Sequence, residues 1–206
     1  GEGARIWWPN KDDITAEGDS VRMVYTVPNN MFAVGNGKLK SISSKNNKST
    51  YEWFVSNPIN NYNISVQIGN YVAVQDTFIK NNQTHMLNHY VLDYNKELGS
   101  NYFQQSKEII RFYEKYFGDY QWYEDGYKLV EVPYLGMEHQ SAVTYGNGFS
   151  LYNGVRSKSW PMYGVIDPLI IHETGHEWFG NSVTASDPTH IWIHEGMQVY
   201  SEAIYF

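Results

Sequence analysis

Cysteine is absent from this sequence of 206 residues. Without cysteine there is neither a disulfide bridge nor a thiolate ligand, so any bound metal ion must be held by histidine and carboxylate side chains. Long apolar runs are also missing, because none approaches the roughly 20 residues that a membrane-spanning helix needs. The sequence therefore predicts no membrane span.

Basic residues are scarce: 15 lysines and arginines stand against 22 aspartates and glutamates, which gives a net charge of −7. No basic stripe is available to neutralise phosphates, so we expect no nucleic-acid partner. Hydrophobic residues make up 42% and aromatic residues 17% of the chain, which is typical of a folded protein. The length allows one domain or two small ones. The chain opens without an initiator methionine and ends inside a helix-like segment, so we interpret it as part of a longer protein.

The first 70 residues predict β-structure. Residues 21–27 alternate between apolar and polar side chains and stop at Pro28, and residues 35–37 are a turn signal before a strand at 38–42. The polar residues 43–50 are predicted to form a loop. Further strand-like runs cover residues 51–55, 64–74 and 90–93.

The character of the sequence changes after about Tyr71, where strand-like runs continue to residue 93 and a helical pattern then follows. Residues 95–117 place their apolar and aromatic side chains largely on one helix face, and Gly118 is expected to end that helix. Strands are predicted at 127–132 and 140–145, followed by a loop rich in glycine and serine at 153–165.

Two capped helices close the chain. Asp167 and Pro168 form a start signal, because aspartate caps a helix and proline is tolerated at its first position. The helix that follows is predicted to run over residues 169–179. The same Asp-Pro pair recurs at 187–188, before a last helix at 195–206.

The first of these helices contains His-Glu-Thr-Gly-His, an HExxH sequence, at residues 172–176. Residues four apart lie on one helix face, so His172 and His176 can converge on one metal ion. Glu173 projects beside that ion and is predicted to act as the general base on a zinc-bound water. The pattern predicts one zinc ion per chain, with a third protein ligand and an open position for the water.

Glu195 is the candidate for the third zinc ligand, with 18 residues between it and His176. A short connection can fold the helix of Glu195 back onto the helix of the HExxH sequence. Glu202 lies seven residues further on, on the same helix face, and we expect it to hydrogen-bond a zinc-binding histidine.

Four other histidines are interpreted as packing or surface residues. His85 and His89 share the i, i+4 spacing, but they lie in a strand-like run, where that spacing does not bring two rings onto one ion. No carboxylate lies between them. His190 and His194 flank the start of the helix that carries Glu195.

A second motif, Gly-Met-Glu-His at residues 136–139, precedes the strand predicted at 140–145. Together with HETGHEWFGN and the glutamate of Trp-Ile-His-Glu-Gly, it resembles the gluzincin zinc aminopeptidases of the aminopeptidase N type. The second signature of that family is GxMEN, and this chain has LGMEH. Residues 4–12 and 68–71 resemble parts of the N-terminal β-domain of the family.

The resemblance implies an α+β protein in two parts. Residues 1–70 would be the C-terminal part of an all-β N-terminal domain, and residues 71–206 the front of a thermolysin-like catalytic domain with a mixed sheet and active-site helices. Peptides with a free N-terminus would be the substrates, because Glu138 would bind the free α-amine. The backbone of Gly136 and Met137 would run antiparallel to the bound peptide. His139 stands where the family has asparagine, which affects the expected substrate preference.

The family also uses a tyrosine well downstream of the glutamate ligand, and its position is expected beyond Phe206. The remaining domains of a longer protein would be partners of this chain, which alone is expected to be weakly active or inactive. Three alternatives stay open: a thermolysin-like endopeptidase, which has no need of Glu138; an epoxide hydrolase of the leukotriene-hydrolase kind; and a non-catalytic binding module that retains the fold.

Overall fold

The computed structural model describes residues 3–150 and 166–206. The loop predicted at 153–165 lies outside the described residues. Strands dominate the first part of the chain and helices the last, as expected for an α+β protein. Among the helices of the described ranges, none is long and apolar enough to cross a membrane.

Within the described residues, the first part contains one short α-helix, one 3₁₀ turn at Asn61–Asn63 and seven strands. In chain order the α-helix and the strands are α1 Gly3–Trp7, β1 Glu17–Gly18, β2 Val21–Pro28, β3 Phe32–Gly35, β4 Lys38–Lys45, β5 Lys48–Val55, β6 Ile59–Asn60 and β7 Val66–Gly69. Strands β2, β5 and β4 form a three-stranded antiparallel sheet, and β1 pairs with β6 and β3 with β7. The short helix was not predicted.

The loop predicted at 43–50 is wrong, because both flanking strands continue through it. Strands β4 and β5 are joined by a two-residue turn at Asn46 and Asn47, whose φ angles are 53° and 57°. Asparagine tolerates this left-handed conformation better than most residues, and two successive positive φ angles suit a tight hairpin turn. Most side chains at these strand ends are exposed, so no apolar alternation marks them as strands.

The second part contains the larger sheet and the long helices. In chain order these are β8 Tyr71–Lys80, β9 Gln83–Leu92, α2 Lys96–Tyr102, α3 Gln105–Phe117, β10 Leu129–Glu131, β11 Gly136–Met137, β12 Val143–Tyr145, α4 Pro168–Gly175 and α5 Trp192–Tyr205. The five-stranded sheet has the order β11-β12-β10-β9-β8. Its three inner strands are parallel and its two outer strands are antiparallel to their neighbours.

Two predicted helix boundaries are wrong. The helix predicted at 95–117 is broken into α2 and α3 around Phe103, whose side chain is fully buried against Tyr145 and Phe149. The helix predicted to reach Phe179 ends at Gly175, where the carbonyl accepts hydrogen bonds from two successive amides and the chain turns. At Phe103 tertiary packing overrides the local helical pattern.

Two hydrophobic cores support the two parts of the chain. One is centred on the strands of the first part, with Trp53, Val55 and Ile59, and extends to Tyr90 and Val130 of the larger sheet. The other joins α3 and α4 to the five-stranded sheet and includes Ile109 and Ile170. We propose that these cores belong to separate domains, residues 1–70 and 71–206, because β8 is the first strand of the larger sheet.

Candidate active site

Helix α4 is anchored at its first turn by Asp167. One carboxylate oxygen of Asp167 accepts a hydrogen bond from the backbone amide of Leu169, at 2.8 Å, as the sequence predicts for a capping residue. The other oxygen accepts from the hydroxyl groups of Tyr102 and Tyr145, each at 2.7 Å. Since Tyr145 belongs to β12, this contact fixes the start of the HExxH helix against the sheet.

The structure brings together the three side chains predicted to bind zinc. His172 Nε2 lies 3.2 Å from His176 Nε2, and 3.3 Å from a carboxylate oxygen of Glu195. The second oxygen of Glu195 lies 3.8 Å from His176 Nε2. His172 is in α4, His176 caps the end of that helix, and Glu195 is in the first turn of α5.

These separations fit a zinc ion. Two ligand atoms bound to zinc at about 2.0–2.1 Å in tetrahedral geometry lie about 3.3 Å apart, and the three measured distances are close to that value. His172 Nδ1 lies 2.6 Å from Glu202, and His176 Nδ1 lies 2.8 Å from the carbonyl oxygen of Phe179. Both rings can therefore donate from Nδ1 and keep Nε2 for a metal, as zinc-binding histidines do.

The charges around His172 follow from its two carboxylate neighbours. Burial disfavours its charged form, but hydrogen bonds to Glu195 and Glu202 outweigh burial and raise the pKa of His172 to about 10. The hydrogen bond from His172, together with the nearby histidines, lowers the pKa of Glu195 to about 2. The carboxylates of Glu195 and Glu202, one on each side of the His172 ring, supply negative charge that would attract a cation.

Glu173 faces the strand that carries the second motif. Burial, with added repulsion from Glu138, raises the pKa of Glu173 to about 8. A β-carbon on Gly136 would lie 2.7 Å from a carboxylate oxygen of Glu173, so glycine at this position allows the two elements to approach. Carboxylate oxygens of Glu138 and Glu173 lie within 4.8 Å of each other and of a ring nitrogen of His176.

A cleft of about 740 Å³ opens onto this site. Its walls include Tyr62, Met137, Glu138, His194 and Glu195, so residues of both parts of the chain line it. Met137 and Gly136 form β11, the outer strand of the five-stranded sheet on that side. Met137 and Glu138 therefore border the same cleft as Glu195.

The other histidines lie where packing explains them. His85 stacks on Tyr123, and buried His89 accepts a hydrogen bond from the backbone amide of Leu129. His194 is buried and its Nε2 accepts from the amide of Ala185, whereas His190 is exposed. Desolvation lowers the pKa of His139 to about 4, so its neutral ring does not neutralise the neighbouring Glu138.

Sequence reasoning missed three residues near the site. Asn181 follows the end of the HExxH helix, and its side chain hydrogen-bonds the backbone of Glu138. Buried Glu177, next to His176, accepts a hydrogen bond from the amide of Ser141. Tyr62 lines the cleft. The local signal available was a glutamate and an asparagine in the turn directly after the HExxH sequence.

Replacing Glu202 with glutamine is expected to weaken zinc binding about tenfold, near the lower end of what loss of such an outer partner does. Glutamine keeps an acceptor near His172 Nδ1 but loses the negative charge that makes the ring a stronger ligand. Zinc affinity is measured by competition with a chelating dye. Glu108→Gln, at an exposed position of α3, is the control. Equal affinity of the Glu202→Gln variant and the parent would remove this role.

The fold and the site define a class of protein. Two histidines of a helical HExxH sequence and a glutamate from the following helix are the ligand set of the gluzincin zinc peptidases, on an α+β framework. The Peptidase family M1 domain matches residues 102–206. The chain therefore belongs to peptidase family M1, the gluzincin aminopeptidases of the aminopeptidase N type, as the motifs predicted.

Similar proteins agree with this assignment. Endoplasmic reticulum aminopeptidase 2 of Homo sapiens is 33% identical over 108 residues, which cover 49% of this chain and 11% of that protein. A leucyl aminopeptidase of Saccharolobus solfataricus is 23% identical over 182 residues, 87% of this chain and 22% of that protein. This chain thus spans between a tenth and a quarter of the length of these two relatives.

Solved structures confirm the predicted fold class. The crystal structure of an M1 zinc metallopeptidase from Deinococcus radiodurans superposes with a TM-score of 0.78 at 20% identity, over 98% of this chain and 43% of that chain. A two-domain M1 zinc metallopeptidase mutant bound to L-arginine gives a TM-score of 0.75 at 18% identity, over 98% of this chain and 44% of that chain. The all-β part followed by a zinc-peptidase-like part is therefore a shared architecture.

Proposed function

We propose that this chain contains the metal-binding and amine-binding parts of a zinc aminopeptidase, which removes N-terminal residues from peptides. The observation that carries the proposal is the close approach of Glu138 to Glu173 and His176, within 4.8 Å. This distance supports a role for Glu138 as the anchor of a cationic amine, beside the proposed general base and a proposed metal ligand. A carboxylate so close to the reacting centre leaves room for one residue ahead of the scissile bond.

His172, His176 and Glu195 would hold the zinc ion. When bound there, zinc would lower the pKa of a water molecule and polarise the carbonyl group of the substrate. The carboxylate ligand makes the site less positive than three histidines would. Glu202 would hold the ring of His172 in the orientation that presents Nε2.

Glu173 would act as the general base. Burial keeps its carboxylate out of bulk water and raises its pKa to about 8, so it is a stronger proton acceptor than an exposed glutamate. In this role Glu173 takes a proton from the attacking water and returns it to the leaving amine. A raised pKa suits both steps, because the same group must accept the proton and then release it near neutral pH.

Glu138 would bind the free α-amine of the substrate by a charge-assisted hydrogen bond. The backbone of Gly136 and Met137 would pair with the peptide as an added antiparallel strand, since β11 is an outer strand paired with β12 and its Met137 lines the cleft. The two aminopeptidase relatives are several times longer than the aligned segments, so we also propose other domains of a longer protein as partners.

The proposal predicts that Glu138→Ala selectively removes the preference for a free amine. Binding of a free dipeptide amide should weaken by roughly tenfold or more, as expected when one charge-assisted contact is lost, and the N-acetylated form should bind as before. Isothermal titration calorimetry with both ligands measures the two affinities. Glu124→Gln, an exposed carboxylate outside the cleft, is the control. A thermolysin-like endopeptidase would bind the acetylated form at least as well, which would contradict the proposal.

A further inference from the structure

The segment that follows Glu138 is held by side chains from the turn after helix α4. We propose that two of these residues, Asn181 and Glu177, set the position of Glu138 relative to the zinc ligands and so impose the requirement for a free N-terminus. We call this pair the polar clamp. The inference rests on the proposed function of Glu138 and assigns a positioning role to two residues outside the motifs.

Asn181 uses its whole side-chain amide in this contact. Its Nδ2 donates to the carbonyl oxygen of Glu138 at 2.9 Å and to a carboxylate oxygen of Glu177 at 3.2 Å. Its Oδ1 accepts a hydrogen bond from Asn63 Nδ2 at 2.7 Å. Asn181, Glu177 and Asn63 are all buried, so bulk water does not compete for these groups.

Glu177 holds the other end of the same segment. Its second carboxylate oxygen accepts from the backbone amide of Ser141 at 2.7 Å. Ser141 has a φ of 58°, a left-handed conformation that a non-glycine residue adopts only when its surroundings enforce it. The buried amine of Lys128 donates to the carbonyl oxygen of Ser141 at 2.7 Å, and Ser141 Oγ accepts from the amide of Gly37 at 2.8 Å. The backbone from Glu138 to Ser141 is therefore held by hydrogen bonds to side chains from other parts of the chain.

The polar clamp also lies close to the metal ligands along the chain. Glu177 directly follows His176, and the backbone amide of Asn181 donates to the carbonyl oxygen of His176 at 2.9 Å. One compact turn thus connects a metal ligand to the backbone of Glu138. The distance from an amine anchor to the reacting carbonyl must be fixed, since displacements of about 1 Å in an active site can lower rates a hundredfold.

The test compares the parent protein with the Asn181→Ala variant, and both proteins are loaded with zinc. We expect the affinity for a free dipeptide amide, measured by calorimetry, to fall about tenfold, with the affinity for its N-acetylated form unchanged. Zinc content and zinc affinity should stay within about twofold of the parent, because no metal ligand is altered. Glu177→Gln keeps the side-chain volume and replaces one of the two carboxylate oxygens with an amide nitrogen, and it should show a smaller loss in the same direction.

Asp125→Asn is the matched control for a purely structural effect. Asp125 is buried and accepts four hydrogen bonds from Ser56 and Asn57, none of them at the cleft. This variant should lower the temperature of unfolding. It should leave unchanged the ratio of the affinities for the free and the N-acetylated dipeptide amide. In the Glu138→Ala background, Asn181→Ala should have no further effect on that ratio.

Two results would overturn the inference. One is that the ratio of free to acetylated affinity stays unchanged in both Asn181→Ala and Glu177→Gln, although Glu138→Ala changes this ratio. The other is an equal loss for the free and acetylated ligands, which is what general destabilisation produces. If Glu138→Ala itself leaves the ratio unchanged, the proposed function of Glu138 fails, and that outcome is distinct from failure of the polar clamp alone.

Discussion

Replacing Glu173 with glutamine is expected to lower peptide hydrolysis by about 10²- to 10⁴-fold, the range in which a general base contributes. Glutamine keeps the size and the hydrogen-bonding reach of the side chain but accepts no proton at its amide. Burial, which raises the pKa of Glu173 to about 8, makes this carboxylate a better acceptor than solvent water. The loss should therefore appear in kcat, with the affinity for the peptide nearly unchanged.

Hydrolysis is measured with fluorogenic aminoacyl substrates, and zinc content by atomic absorption on the same samples. Zinc should remain bound, since Glu173 is not among the three predicted ligands. Glu131→Gln is the matched control: Glu131 is a glutamate of similar burial in β10, and its carboxylate bonds Leu92 and Asn95. That variant should lose stability without a selective loss of turnover. A Glu173→Gln protein as active as a parent with detectable turnover would refute the role of Glu173 as the general base.

Replacing Glu195 with glutamine is expected to weaken zinc binding by about a hundredfold or more. Zinc sites with four protein ligands bind with about 10–16 kcal/mol, so one ligand carries on the order of 3 kcal/mol, and each 1.4 kcal/mol is tenfold. The side chain of Glu195 is 55% exposed, so this substitution removes a charged ligand without disturbing the core. It therefore separates metal binding from folding, which replacing buried His176 does not.

The affinity of the Glu195→Gln variant is measured by chelator competition at fixed pH. Glu97→Gln, an exposed glutamate on α2, should bind zinc as the parent does. Far-ultraviolet circular dichroism should show the same helix content in all three proteins. If Glu195→Gln binds zinc as tightly as the parent, then His172 and His176 bind the ion with some other third ligand.

Helix geometry explains why the metal site can be predicted from the sequence. The spacing of His172 and His176 is a property of one helix turn, and Asp167 with Pro168 marks where that helix begins. The separation of the two rings at Nε2, 3.2 Å, follows from this local regularity. Glu202 is predicted in the same way, as a residue two turns after Glu195.

The boundaries of helices and strands are predicted less well. The turn at Asn46 and Asn47 joins strands whose exposed side chains carry no periodic signal. The helix break at Phe103 depends on its burial against Tyr145 and Phe149, more than 40 residues away in sequence. No window of local sequence contains such partners, so periodicity alone predicts one continuous helix.

The sequence by itself was enough to predict the ligand set, because HExxH, the capped helix and a glutamate with 18 residues between it and His176 are local patterns with one geometric meaning. The tertiary structure decided how the Gly-Met-Glu-His segment faces that site. Asn181 reaches Glu138 across 43 positions and Asn63 reaches Asn181 across 118. Hydrogen bonds between such distant residues exist only once both parts of the chain have packed together, and a buried amide gains its stability from those partners.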